Sequence, residues 1–362
     1  MPPCFQIYTD LERLPLGCGE LFESAKNFGL SLAWFRNMIL NGLPFGSKPY
    51  FVVLMKGTSP IAIVPFEDCG SAGLKSLTNC YSCIYQPLIA DQVSGFDTAR
   101  LLGEGIGRLC ARQSLVKIDC LPSNWPALKA FSAGLRAAGL AVRRFQHFGN
   151  WYEPIQERSW EEYLTSRPGN LRELLRRRGR KAARAGGVSF EIINQDGDRL
   201  SRGIEAYEAV YRRSWKLSEP FPRFNAGLMR EAAQVGMLRL GICWRQEKPI
   251  AAQIWIVAHR TATVMKLAHD ETDHALSPGT LLTATVIEHL IREGVTEIDF
   301  GRGDDEYKRL WTERRRQRIG VLLANPRRFK GLAAVATHDM GRAVRALRRR
   351  IDRVNRFASA WS

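Results

Sequence analysis

The stretch from Ala262 to Trp311 limits the possible folds more than any other, because its residue pattern changes period several times over a short length. Ala262 to Ala268 is a short apolar run containing Lys266, and it breaks into the polar, turn-rich Asp270-Glu271-Thr272-Asp273. Ser277 stands where an N-cap belongs, with Pro278 at the first helical position and Gly279 next. Leu281, Leu282, Val286 and Leu290 then recur at helical spacing, and Gly294 follows them in the usual C′ position. Thr296 to Phe300 reads as a buried strand that ends in Gly301-Arg302-Gly303. Strand, helix and strand in direct succession call for an α/β chain built on a mixed sheet.

A helix start of this kind leaves backbone N–H groups pointing out of the helix, with the positive end of the macrodipole behind them, and a diphosphate satisfies both. Gly279 lets a ligand approach the backbone closely, whereas Pro278 removes one donor. Ser277, Gly279, Thr280 and Leu281 are therefore candidate phosphate contacts. The same residues equally suit an ordinary capped crossover helix.

The flanking sequence repeats one order of elements. In the first half, a helix is predicted around Glu20 to Leu40, with Phe22, Phe28, Trp34 and Phe35 on one face. Strands over Tyr50–Met55 and Ile61–Phe66 flank the hairpin signal Lys56-Gly57-Thr58-Ser59-Pro60. Short strands near Leu77 and at 84–89, a helix over 97–112, a strand over 115–120, a helix over 125–138 and a strand over 141–145 follow. In the second half, strands over 238–245 and 250–257 flank a turn at Gln246-Glu247-Lys248-Pro249. Strand 262–268, a helix, a strand, a further helix and strand 319–323 complete it. The repeat lies in element order and not in residues. The divisions are 1–151, 152–326 and a basic helical extension over 327–362.

Charge is concentrated. The chain carries a net +17, and fifteen of those charges lie in Arg167–Arg184 and Arg327–Arg356. General affinity of the whole surface for nucleic acid is not implied. The first stretch reads as a cationic amphipathic helix from Arg172 to Arg184, suited to phosphates or simply to solvent. In the second, Val344, Leu347, Ile351, Val354 and Trp361 recur among seven arginines, a helix that packs on its own domain and touches an anionic membrane surface weakly. Hydrophobic residues make up 45% of the chain, no window approaches a membrane span, and Met1-Pro2-Pro3-Cys4 lacks a signal-peptide layout, so the reading is cytoplasmic, with the inner membrane face open as a peripheral location. Of eight cysteines only Cys80 and Cys83 have metal or redox spacing; without a second such pair they read as core, and no metal is expected.

Lys266, Asp270, Ser277-Pro278-Gly279, Asp299-Phe300-Gly301-Arg302-Gly303-Asp304 and Tyr307-Lys308, with Ser214-Trp215-Lys216 upstream, resemble the GNAT-like acetyltransferases associated with cellulose and exopolysaccharide biosynthesis. These are related to the Fem-type aminoacyltransferases. The resemblance implies tandem GNAT-like units, the first degenerate, and acyl transfer from acetyl-CoA to an amine or hydroxyl of a small-molecule, nucleotide-linked or lipid-linked acceptor. Asp299 and Asp304 become candidate bases or acceptor-positioning groups, and Tyr307 the candidate acid. Lys266 joins the helix start as a donor contact, while Trp215, Lys216, Asp270, Arg302 and Lys308 are acceptor candidates. Each has a plainer reading: Asp299 pairing with Arg302 or capping a turn, Asp304 an N-cap, Tyr307 a core wall. The loop His274-Ala275-Leu276-Ser277-Pro278-Gly279 keeps only the last glycine of the usual GNAT phosphate loop, which leaves open an aminoacyl-tRNA donor. A non-catalytic nucleic-acid or envelope-assembly binder is the reading of a different class.

Overall fold

The computed structural model describes residues 2–113, 115–342 and 344. Its strands are β1 (Cys4–Tyr8), β2 (Lys48–Lys56), β3 (Ser59–Asp68), β4 (Leu74–Ser76), β5 (Leu88–Ile89), β6 (Leu115–Pro122) and β7 (Ala141–Pro154). The second half adds β8 (Val188–Ile193), β9 (Leu238–Arg245), β10 (Lys248–Ala258), β11 (Thr261–His269), β12 (Glu297–Arg302) and β13 (Arg315–Ala324). The helices are α1 (Cys18–Glu23), α2 (Leu32–Asn41), α3 (Gly95–Gln113), α4 (Leu128–Ala137), α5 (Trp160–Thr165), α6 (Gly169–Ala185), α7 (Asp198–Arg212), α8 (Phe224–Gln234) and α9 (Pro278–Arg292).

All thirteen strands join one mixed sheet in the order β1-β2-β3-β4-β6-β13-β7-β12-β11-β10-β9-β8, with β5 on β3. The order is a two-fold arrangement about the β13–β7 pair. On one side β4 runs parallel to β6, and on the other β11 runs parallel to β12. The last strand of each half crosses over: β13 lies between β6 and β7, and β7 lies between β13 and β12. Residue 151 thus falls inside β7, and the two halves share a sheet without an interruption. The α/β mixed sheet expected from the sequence is what forms.

Three apolar clusters hold helices on this sheet. One packs α1, α2, α7 and α8 against β2 and β10, a second packs α3 and α4 on β3 and β6, and the third packs α9 on β11 and β12. The predicted helix over 20–40 is broken instead into α1, a short 3-10 turn (Phe28–Leu30) and α2. The Asn27 side chain accepts from the Gly29 N–H and the Ser31 hydroxyl from the Trp34 N–H, so each polar residue starts a new turn. Likewise 77–87 is irregular, β7 extends nine residues past Phe145, and the helix expected after Gly303 is a 3-10 turn (Glu306–Leu310). The extension over 327–362 is helical at 329–342, while 343 and 345–362, which carry most of its expected seam, lie outside the described residues. Among the described residues no helix is long and apolar enough to cross a membrane.

Candidate active site

Parallel pairing of β11 with β12 ends at Thr263–Asp299, and from there the two strands part. Gly301 comes so close to the Val264 carbonyl that a Cβ there would sit 2.5 Å from its oxygen, and its φ of +67° is one that side-chain-bearing residues avoid. β11 also bulges: Lys266 pairs with Ile254 and Val264 with Trp255, so Met265 has no register partner on β10. The opening holds a cleft of about 600 Å³. Its walls are β11 from Val264 to Leu267, Phe300 and Arg302 on β12, the first turn of α9, the Trp215-Lys216 strap, and Tyr81 with its neighbours Cys80 and Cys83 from the first half.

At the start of α9, Ser277 occupies the N-cap position, but in the left-handed region (φ 52°) and without a side-chain cap bond. Its carbonyl instead accepts the N–H groups of Thr280 and Leu281, both at 3.1 Å. Pro278 has no N–H, so the groups left without a partner at this helix start, among the described residues, are the Gly279 N–H and the Ser277 and Thr280 hydroxyls, and all three residues line the cleft. A Cβ on Gly279 would meet only the His269 ring, 3.3 Å away at Nδ1. Leu281, expected as a donor contact, is buried and lies outside the cleft, in a groove between α6 and α9.

Of the cations, Lys266 is 2.7 Å from Glu219 and lies 4.8 Å above the Tyr81 ring. Lys308 is buried, donates to the Arg302 and Gly303 carbonyls at 2.7 and 3.2 Å, and pairs with Asp305 at 3.1 Å, so it shapes the 302–305 loop. Arg302 lies over the Phe148 ring at 4.6 Å. Lys216 has no carboxylate partner among the described residues, and burial, followed by the charge of Lys266, lowers its pKa. The Tyr307 hydroxyl also has no hydrogen-bond partner there. Burial holds that phenol well above its ordinary value of 10.0, as the neutral O–H donor.

Three of the carboxylates picked out in the sequence lie outside the cleft. Asp299 is buried in the sheet, accepts from Asn150 and the Gly301 N–H at 2.6 and 2.7 Å, and pairs with Arg316 and not with Arg302. Asp304 faces away, bound to Arg315 at 2.6 Å and to the Trp151 indole at 3.0 Å, and the following 3-10 turn is capped at Asp305. Asp270 is buried beneath the turn before α9, where Arg213 and Lys248 hold it at 2.7 and 2.9 Å. The cleft does gather Lys266, Ser277, Gly279, Thr280, Trp215, Lys216, Arg302, Tyr307 and Lys308.

The sequence reading missed Tyr81 on the cleft wall and the carboxylate that holds it from behind. Glu219 accepts from the Tyr81 hydroxyl at 2.6 Å and from Lys266, and although burial opposes its ionisation, the bonds from Lys266, Tyr81 and Tyr211 hold its pKa down. Cys80 and Cys83 line the cleft and are not core residues, Cys80 being exposed. The spacing of Cys80 and Cys83 was visible in the sequence, but no local pattern marks Tyr81 or Glu219.

Residues 169–309 match the model of the acetyltransferase (GNAT) domain. The matched span runs from α6 through the 302–305 loop and so contains the second-half walls of the cleft, but not Tyr81. Among solved structures the chain is similar to FemX (12% identity, TM-score 0.57, covering 89% of this chain and 97% of that one). It is also similar to a tandem GNAT protein from the clavulanic acid biosynthesis pathway (12%, 0.52, 90% and 99%) and to L-PGS from Bacillus licheniformis (12%, 0.50, 74% and 82%). No curated protein matches the chain. The fold is GNAT-like and acyltransferase in type, in a tandem arrangement.

Proposed function

We propose that this chain transfers an acyl group, acetyl in the simplest case, from acyl-CoA to an amine or hydroxyl acceptor. The observation that carries the reading is that the Gly279 N–H and Thr280 hydroxyl, without partners among the described residues, line the same cleft as a Tyr307 phenol that also has none there. The residues suit the donor: the α9 start and Lys216 would take its diphosphate, and the thioester would then reach the parted strands. As the acceptor attacks the thioester carbon and the C–S bond breaks, Tyr307 would protonate the departing thiolate and would regain its proton from the one the acceptor's amine or hydroxyl sheds. Lys266 and Tyr81, both held by Glu219, form the wall against which the acceptor would lie. The resemblance noted in the sequence suggests a polysaccharide- or envelope-related acceptor.

Calorimetry with acetyl-CoA, followed by thiol release over a panel of amine and hydroxyl acceptors, tests this. Saturable donor binding with acceptor-dependent thiol release is expected. Absence of donor binding would overturn it, and binding of an aminoacyl-tRNA instead would move the reaction to that donor.

A further inference from the structure

β12 covers only the C-terminal end of β7. Its pairs run from Glu297–Pro154 to Arg302–Asn150, and the Gly303 N–H reaches the Gly149 carbonyl at 3.2 Å. Among the described residues, 141–146 and 148 have register partners on β13 alone, and His147 sits unpaired at a bulge. A groove of about 1480 Å³ runs beside this segment and is lined by every residue from Val142 to Gly149. Successive strand residues point to opposite faces, so a groove that touches all of them lies along the strand's edge. It ends at Asp304 and Arg315, on the far side of the loop whose Arg302 and Asp305 face the cleft.

The groove is cationic in a particular way. Lys117, Arg143 and Arg315 line it, but Asp119, Asp339 and Asp304 respectively neutralise them. Arg136 and Arg144 are exposed and both bind Ser132, through its carbonyl at 3.4 Å and its hydroxyl at 2.5 Å, with no carboxylate on either among the described residues. Two like charges are thus held together without a counter-ion. Across the groove, His338 has a side chain only 10% exposed and a buried Nε2 with no partner.

We propose that this edge receives an extended acidic peptide as an added strand. An uncovered strand edge presents alternating N–H and C=O groups that another extended backbone matches, and an eight-residue edge of about 26 Å that carries no second strand among the described residues invites such pairing. Carboxylates on that peptide would sit between Arg136 and Arg144. A second copy of this chain would bring the same arginine pair against itself, and a nucleic acid would satisfy the charge but not the ladder. The docked strand would end beside the 302–305 loop.

The probe is a fluorescein-labelled peptide of about ten residues alternating Glu and Val, titrated into the full chain without acyl donor. Binding that weakens in high salt, at least about tenfold loss when Lys replaces Glu, and a similar loss when every second amide is N-methylated are expected. Arg136→Gln with Arg144→Gln should weaken binding about tenfold at an unchanged melting temperature. Equal binding of the methylated peptide, equal binding of the Lys peptide, self-association that blocks the groove, or tighter binding of a single-stranded oligonucleotide of matched charge would each overturn the proposal. None of these readings involves the donor, so failure here leaves the transfer reading standing, and the reverse also holds.

Discussion

The two halves of the sheet contain the same joint and use it oppositely. Where β11 and β12 part, no hydrogen bond among the described residues closes the gap, and a cleft remains. Where β4 and β6 would part beyond Lys75–Lys117, the gap is stitched: the Ser76 hydroxyl accepts the Asp119 N–H at 2.9 Å, and the Tyr85 N–H reaches the Cys120 carbonyl at 3.0 Å. The irregular segment after β4 supplies Tyr85 as a buried plug whose hydroxyl donates to the Pro65 carbonyl, and sends Tyr81 across to line the open cleft of the other half. A parted pair of parallel strands is therefore not yet a site. It becomes one only when the backbone groups at the parting are left for a ligand, and the first half spends them on its own chain.

The strongest test exchanges the two helix starts. Gly279→Asp places a carboxylate where the donor's diphosphate is expected and should abolish measurable acetyl-CoA binding by calorimetry, with circular dichroism unchanged. Gly95→Asp, at the start of α3 where a Cβ meets nothing within 4 Å, should leave donor binding intact. Equal effects would erase the distinction between the halves.

The two tyrosines divide rate from stability. Tyr307→Phe should lower turnover by about 100-fold with donor affinity preserved. Tyr85→Phe should leave turnover alone and lower stability by about 1 kcal/mol in denaturant titration, the ordinary value of one buried hydrogen bond.

A pH titration sharpens the contrast from the open side. Burial works against ionisation of Asp270, but bonds from Thr272, Lys248 and Arg213 outweigh it and hold its pKa well below the ordinary 3.8. Its contribution to stability is therefore present above pH 3.8 and is lost as the pH falls from there towards the depressed value. Asp270→Asn should lower the melting temperature at pH 7 and flatten its decline between pH 5 and pH 2. An unchanged slope would show that the turn before α9 is held by other means.

The last test concerns the stitch, where only stability is expected to change. Ser76→Ala leaves the buried Asp119 N–H without its acceptor and should cost about 1 to 2 kcal/mol with no change in turnover. A gain of donor binding in the first half would mean that the stitch alone had silenced it.

Several elements were legible because their causes are local. The β2–β3 and β9–β10 hairpins follow from turn residues between apolar runs, and α9 begins at Ser277-Pro278-Gly279 and ends at Gly294, which takes φ +80° as its C′ position requires. The cluster Gly279, Arg302 and Tyr307 was legible too, since short turns tie those residues to the ends of β11, α9 and β12, whereas Lys216 reaches the cleft from the strap after α7. The helix break at Asn27 and Ser31 was written in two capping residues and was overrun by the aromatic pattern around them.

What only the tertiary structure decided is where each charge found its partner. Asp299, Asp304 and Asp270 look alike in sequence as acids beside glycines or turns, yet Arg316, Arg315 and Arg213 take them out of the cleft, the last from 57 residues away. Glu219, unremarked in its loop, is brought to Tyr81 across 138 residues. Periodicity and capping act within a turn or two of the chain, whereas an ion pair is set by which strands cross between halves, and the β7–β13 exchange is a long-range pairing that no short window contains.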